Sequence, residues 1–319
     1  MPKQSVLTSA LAYAMIRATE AAAIATEALV GSGDEQAADQ AAIGAMREAL
    51  NFIDMDGCIL IGEGEKDEAP ALHVGERLGT GAGPAVDIAL DPLEGATLVA
   101  KSASNALCVM AAAPRGGLLQ TPNIYMEKLA IGPGFAHDVV DLDASPGENA
   151  ERLAQAKGVR VKDICVCVLD RPRHDKIIAE LRKAGVRIKL IADGDVAGVI
   201  YTAYPDMGVD MYLGEGGAPE GVLAAAALKC VGGQMQTRLS YRNDGDRIRA
   251  ERAGVKELNR LYRLDDLVSS EAIFVATGVT KGGLLDGVKR AGGKVHTQSL
   301  LMTSFDGAVR TIRSATPLR

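Results

Sequence analysis

The stretch 164-ICVCVLDRPRHDKIIAELRKAGVRIKLIADGD-195 decides the fold class. An apolar run (164–169) gives way to an amphipathic segment (174–184). A second, mainly apolar run (186–192) follows, and then the start of another helix at Val196. Short apolar runs alternating with helical segments are βαβα order, which predicts an α/β fold with a parallel sheet covered on both faces. The pattern extends outward through an apolar run at 209–213, a helix over 219–230, a polar helical stretch around 249–262 and a strand over 272–276. Each strand runs into a short polar or Gly-rich loop: Asp170-Arg171-Pro172-Arg173, Asp193-Gly194-Asp195, Gly214-Glu215-Gly216-Gly217 and Thr277-Gly278. In open α/β sheets ligands bind just beyond the carboxyl ends of strands, so these four loops are the expected site.

The first half reads differently. Residues 4–29 are Ala-rich with no Gly or Pro, which predicts a long helix ended by Gly31 and Gly33. Asp34 is a candidate N-cap for a second helix reaching about residue 53. Short buried strands are expected at 58–61 and 86–90, each running into an acidic, Gly-containing segment. The segment 141–149, with Pro146 and Gly147, is the expected boundary between an N-terminal half (1–145) and a C-terminal α/β half (146–319).

Composition excludes several function classes. The chain has 319 residues, 47% hydrophobic and 24% charged, which is ample for a core. Aromatics make up 3% and Trp is absent, so stacking platforms for bases are not expected. Net charge is −6 and the basic residues are dispersed, apart from an Arg cluster near 238–252, which argues against nucleic acid as a partner. The longest apolar runs, such as 106–113, fall well short of the ~20 residues that span a bilayer, so no membrane partner is expected. Residues 5–16 do not resemble a signal peptide, and a cytoplasmic location is expected. The five cysteines lack C-x-x-C spacing and read as buried free thiols.

Chemistry concentrates in two acidic segments. Gly62-Glu63-Gly64-Glu65-Lys66-Asp67-Glu68 crowds four carboxylates beside flexible glycines. Asp91-Pro92-Leu93-Glu94-Gly95 sets two acids three residues apart at a strand end. Such density is costly without a cation, and hard cations such as Mg²⁺ or Mn²⁺ take carboxylate oxygens. Taken alone, the first segment could equally be a solvated loop and the second an ordinary turn. No His-centred triad and no Gly-x-Ser-x-Gly elbow is present, so nucleophilic hydrolysis by Ser or Cys is not expected. The Gly-rich runs match neither the Walker nor the dinucleotide pattern.

Taken with Asp39, these acids resemble the signature of the lithium-sensitive, metal-dependent phosphomonoesterases. Among them the chain is similar to the class II fructose-1,6-bisphosphatases over nearly its whole length. The islands that carry the likeness are Ala37-Ala38-Asp39, residues 62–70 and 91–95, Tyr125-Met126-Glu127-Lys128, Pro172-Arg173-His174-Asp175, Asp193-Gly194-Asp195, and residues 216–222 and 276–282. The resemblance implies a layered α-β-α-β-α sugar phosphatase fold, two mixed or parallel sheets flanked by helices. It implies metal binding by Asp39, Glu63, Asp91, Glu94 and Glu220. Substrate contacts would come from Glu94, Gly95, Ala96, Tyr125, Arg171, Pro172, Arg173, Asp193, Gly194, Asp195 and Gly217. Glu63 and Asp67 would share the catalytic work, and the reaction would be release of the 1-phosphate of fructose 1,6-bisphosphate, in a homo-oligomer. A dual activity on sedoheptulose 1,7-bisphosphate and a non-catalytic sugar-phosphate binder are the alternatives.

One position departs from the family pattern. Ala96 stands where the signature has Thr or Ser, a hydroxyl thought to help orient or deprotonate the attacking water. A methyl group can do neither. Two explanations compete, a natural variant that relies on its metals alone and a deliberate substitution that slows turnover, and the second is preferred.

Overall fold

In a computed structural model that describes residues 5–66 and 69–318, the chain divides into two compact units. Unit 1 comprises residues 1–119 and 268–319, and unit 2 residues 120–267. The first 119 residues form helices α1 (Ser9–Glu27) and α2 (Glu35–Leu50), strands β1 (Asp56–Ile61), β2 (Arg77–Leu78) and β3 (Ala85–Glu94), helix α3 (Ala96–Ala100) and strand β4 (Leu107–Pro114). Unit 2 adds β5 (Tyr125–Ile131), α4 (Pro146–Lys157), β6 (Cys165–Leu169), α5 (Asp175–Lys183), β7 (Arg187–Ile191), α6 (Asp195–Ile200), β8 (Met211–Gly217), α7 (Ala218–Val231), β9 (Gln234–Ser240), α8 (Asp244–Arg252), β10 (Tyr262–Arg263) and α9 (Leu264–Leu267). Residues 268–319 return to unit 1 as β11 (Ile273–Gly278), β12 (Lys289–Ala291), β13 (Lys294–Thr303) and β14 (Ala308–Pro317).

Unit 1 is an eight-stranded mixed sheet in the order β12-β13-β11-β4-β3-β1-β2, with β14 also pairing β13. Among the described residues, only β1 and β3 of this sheet run parallel. Helices α1 and α2 pack on each other, α1 against β11 and β13 and α2 against β3. Alanine makes this close approach possible: Ala12, Ala18, Ala22, Ala23, Ala38 and Ala42 are completely buried. Met15 and Met46 fill the remaining gaps, each contributing roughly 1.5–3 kcal/mol by burial. A chain of buried hydroxyls pins α1 to the sheet, Thr19 to Thr277 and Thr277 to Ser299, each at 2.8 Å. Helix α1 is shorter than the expected 4–29. Thr8 caps it, its side chain accepting the Leu11 N–H. Asp34 caps α2 as expected, accepting from the Ala37 N–H at 2.9 Å.

Unit 2 is a six-stranded mixed sheet in the order β10-β9-β5-β8-β6-β7. The expected parallel arrangement holds for β8, β6 and β7 alone. Strand β5 lies between β8 and β9 and runs antiparallel to both. The strand expected at 272–276 belongs to the other sheet, as β11, antiparallel to β4 and β13. An apolar run does not specify its partner, and here chain return to unit 1 decides it. The polar stretch around 249–262 is helical only to Arg252, and Tyr262 is in β10. The two mixed sheets flanked by helices are the architecture the resemblance implied.

The division of the chain also differs from a boundary at 145. Strand β5 is an inner strand of unit 2, so the changeover falls between Leu119 and Gln120. Segment 141–149 is tied into unit 2 and is no linker. Asn149 Oδ1 accepts the Asp141 N–H and its Nδ2 donates to the Asp141 carbonyl, both at 2.8 Å, and Ser145 with Glu148 closes a capping box on α4. Four of the five cysteines are buried, Cys58 is half-buried, and all five are free.

Candidate active site

In unit 1 the acidic motif sits on a deformed strand end. β3 is paired on both sides as far as Ala89, where β1 reaches its last partner, Ile61. Beyond that, the pairing with β4 slips by one residue between Asp91, opposite Val109, and Glu94, opposite Leu107. This bulge is what lets Pro92, which has no N–H, occupy an inner strand. Asp91 Oδ1 accepts the Leu93 N–H at 3.0 Å, and Glu94 is 5% exposed. Strand β3 thus carries the motif beyond the expected end at 90. Gly95 then reverses the chain with φ +96°, where an L side chain is strained, and Ala96 opens α3.

The other acids of this unit come from separate elements. Glu63 follows β1, its N–H bonded to the Leu72 carbonyl at 3.0 Å. Asp39 is on α2; burial raises its carboxyl above the ordinary range and Glu35, one turn earlier, adds to the shift. Glu35 also accepts the Thr97 hydroxyl at 2.9 Å. Thr97 is therefore turned toward α2, and it does not stand in for the hydroxyl missing at Ala96, whose methyl packs against the core of unit 1. Burial pushes the Cys108 thiol well up, with the Asp91 carboxylate adding to it. Asp67 lies outside the described residues. Among the described residues, no three His, Cys, Asp or Glu side chains stand close enough to cage a metal ion together.

In unit 2 three of the four expected loops meet at the carboxyl ends of β6, β7 and β8. The fourth, Thr277-Gly278, is the end of β11 in unit 1. Tyr125 joins the same end, because it begins β5 and pairs with Gly217 at the end of β8. Gly214 to Gly217 lie within β8 rather than after it. Their lack of side chains is required: a Cβ on Gly216 would stand 2.1 Å from Asp195 Oδ2, and one on Gly217 1.9 Å from Glu220 Oε2.

Charged groups here are held by one another. Lys128, wholly buried on β5, donates to Asp195 Oδ2 at 2.5 Å. Asp195 follows Gly194, which caps α6 in the left-handed conformation at φ +84°. Glu220, in the first turn of α7, has one oxygen, Oε2, shut off from solvent and, among the described residues, without a hydrogen-bond partner. Burial pushes its carboxyl up, the Lys128 ammonium opposes this, and the Asp195 carboxylate reinforces it. Arg171 stands 3.7 Å from Asp193 with both side chains more than a third exposed, so this pair adds little stability.

Around Tyr125 two guanidinium groups converge. Arg242 lies 3.6 Å from the ring centroid and Arg173, just after Pro172, lies 5.1 Å from it. Both are anchored to Glu215, Arg173 Nε donating to its carbonyl at 3.0 Å and Arg242 Nη2 to Oε2 at 3.1 Å. Burial opposes ionisation of Glu215, but hydrogen bonds from Ser240 and Arg242 outweigh it and hold the carboxyl below its usual range. His174 braces this corner. Its Nδ1 faces the Leu169 carbonyl and its Nε2 accepts the Glu215 N–H, both at 2.8 Å, which specifies a neutral ring. Burial keeps its pKa below the ordinary value.

Sequence reasoning gave no role to Arg242 or to Lys128, the latter quoted only within the island 125–128. Arg242 follows β9, a strand the reading did not find. A signal for Lys128 existed, since alternation places it on the buried face of β5 with Met126 and Ala130.

The donor chemistry suits hard divalent cations. The candidate ligands are carboxylates, Glu220 offers an enclosed oxygen with no partner, and Asp39 is a half-buried acid whose ionised form a cation would favour. Comparison with known proteins points the same way. Residues 9–316 match the family described as "Bacterial fructose-1,6-bisphosphatase, glpX-encoded". Fructose-1,6-bisphosphatase 1 class 2 of Escherichia coli (strain K12) is 45% identical over 317 residues, covering 95% of this chain and 94% of the relative. Fructose-1,6-bisphosphatase class 2 of Shigella flexneri shows the same identity and coverage. Matched along nearly its entire length, the chain belongs to the bacterial glpX-type fructose-1,6-bisphosphatase family.

Proposed function

We propose that this chain hydrolyses the 1-phosphate of fructose 1,6-bisphosphate to give fructose 6-phosphate and inorganic phosphate, a gluconeogenic step, with Mg²⁺ or Mn²⁺ as its metal. The observation that carries the reading is the family match over residues 9–316, which includes the Asp91-to-Glu94 motif on the bulged end of β3. Asp39, Glu63, Asp91, Glu94 and Glu220 would hold the metal. When bound, it would neutralise phosphate charge and make water a better nucleophile near neutral pH.

The chain's own residues supply the rest. Arg173 and Arg171 offer planar paired donors to the unreacted phosphate, with Tyr125 and Pro172 beside them. Arg242 joins this set because it shares both Tyr125 and Glu215 with Arg173. Asp193, Gly194 and Asp195 take the sugar hydroxyls, and Gly217 leaves room for them. Glu94, Gly95 and Ala96 meet the reacting phosphate, and Glu63 with Asp67 receives the proton of the attacking water. Without a hydroxyl at position 96 the water is less well oriented, so turnover is slowed while substrate binding persists. The same proposal includes a cytoplasmic homo-oligomer.

The test is product identity. Incubation with fructose 1,6-bisphosphate and Mn²⁺ should yield phosphate and fructose 6-phosphate in equal amounts. Sedoheptulose 1,7-bisphosphate turned over equally well would make the enzyme a dual one. Binding of the sugar phosphate with no release, in this chain and in Ala96→Thr alike, would make the chain a binding protein.

A further inference from the structure

We propose that unit 2 has a second ligand site, for a small organic anion with an apolar body, in a cavity at the opposite end of its sheet from Tyr125 and Gly217. The cavity measures about 320 Å³, the lower end of the range for small-molecule sites. Helix α7 shows where it lies. Glu220 is in the first turn of that helix, whereas Lys229 and Gly232, at its far end, line the cavity. Glu220 and Lys229 are nine residues apart on one helix, ~14 Å along its axis, so the cavity is no extension of the sugar-phosphate subsite.

Its walls are built and held open. Gln234 Nε2 donates to the Phe135 carbonyl at 2.7 Å. Gln236 Nε2 donates to the Val140 carbonyl at 2.7 Å, while its Oε1 accepts the Leu142 N–H at 2.9 Å. These bonds fix the segment 135–142 as one wall. Gly232, at φ +72°, leaves the approach free of a side chain, and a Cβ there would meet nothing nearer than Pro133 at 4.0 Å.

The lining is both apolar and charged. Leu129, Val140, Met235 and Leu264 supply apolar surface. Arg263 and His137 also line the cavity, and among the described residues their side chains make no hydrogen bond or ion pair. Lys229 is bonded to Asp265 at 2.5 Å, but the Asp265 side chain is 78% exposed against 25% for Lys229. Water can replace that acid at little cost, which frees Lys229 for an incoming anion. An uncommitted guanidinium, an ammonium that can be released and an imidazole lining the same cavity as four apolar side chains fit a phosphate or carboxylate carried on a short hydrocarbon.

The probe is monobutyl phosphate, titrated calorimetrically into the full chain without metal, beside inorganic phosphate and butanol. Butyl phosphate should bind at least about tenfold more tightly than inorganic phosphate, because only it also buries methylene groups. Butanol, lacking the charge, should bind more weakly than butyl phosphate. Arg263→Ala should weaken butyl phosphate about tenfold or more. His137→Ala should weaken it less, and Arg173→Ala should leave it unchanged. Unaltered melting temperatures would establish that the variants fold. Equal affinity in Arg263→Ala and the parent would overturn the proposal, as would loss of binding in Arg173→Ala, which would put the probe in the sugar-phosphate subsite. These titrations involve no turnover, so they stand or fall separately from the proposed hydrolysis.

Discussion

The end of β3 in unit 1 and the carboxyl ends of β6, β7 and β8 in unit 2 position charged groups by different means. In unit 1 the devices are in the backbone: a bulge that admits Pro92, an acid that accepts its neighbour's N–H, and a left-handed glycine that reverses the chain after Glu94. In unit 2 the devices are opposite charges and shared anchors. Lys128 holds Asp195, and Arg242 and Arg173 hold Glu215 from two sides. Acids set by backbone geometry suit a site whose counter-charge arrives with a metal. Acids and bases that fix one another suit a surface prepared for a polyhydroxylated anion.

If unit 2 depends on its internal ion pairs, the largest stability effect should come from Lys128→Met. Removing the ammonium leaves Asp195 buried beside Glu220, and breaking a buried pair costs about 3–5 kcal/mol. Chemical denaturation should record a loss of that size. Adding Asp195→Asn to the same chain should restore part of it, because the stranded carboxylate is then gone. A loss below about 1 kcal/mol would mean that backbone geometry positions this unit as well.

The next largest effect belongs to unit 1. Ala96→Thr should raise kcat by at least about two orders of magnitude, since assistance to the attacking water is worth roughly 10² to 10⁴ in rate. Substrate Kd should stay nearly constant, because the gain is confined to the transition state. Steady-state kinetics and equilibrium binding in the same Mn²⁺ buffer separate the two. An unchanged kcat would show that the metal and acids suffice, and that the methyl at Ala96 fits this site as it is.

The smallest effect is a pH dependence in unit 2. Burial depresses the pKa of His174 in the folded chain below its ordinary 6.5. The unfolded chain therefore takes up a proton first as the pH falls, so this residue's contribution is complete above pH 6.5 and is lost on acidification toward the folded value. The loss should be the smallest of the three effects. It should be missing from His174→Gln, whose stability would be lower at all pH values but flatter. Parallel pH profiles for the two chains would mean that the ring takes up its proton equally readily in the folded and the unfolded chain.

Much of this arrangement is legible in the sequence where local chemistry is strong. The Asp34 cap, the helix rich in alanine before it, and the strands around Cys167 and Ile188 follow from propensity and periodicity. So do the loops that carry Arg171, Arg173, Asp193 and Asp195. Strand β9 escaped because Gln236 and Thr237 are buried polar residues, which erase the alternation that marks a half-buried strand. Arg242 was lost with it. Lys128 was quoted but given no role because lysine is almost always exposed, and only its register with Met126 and Ala130 indicates otherwise. The return of β11 to the first sheet is a long-range pairing that no local pattern encodes. The role of segment 141–149 depends on the fit of Asn149 to Asp141, which composition rich in Asp and Pro conceals.

The most direct measurement is phosphate release from fructose 1,6-bisphosphate by chelator-treated chain before and after addition of Mn²⁺, run beside Asp91→Ala. No release is expected without metal, and slow but measurable release once Mn²⁺ is restored. Asp91→Ala should lose at least about a hundredfold of that restored rate while keeping its melting temperature in the absence of metal. Release that persists in the chelated chain, or that is undiminished in Asp91→Ala, would contradict the assignment of the acidic motif on β3 to metal-dependent hydrolysis.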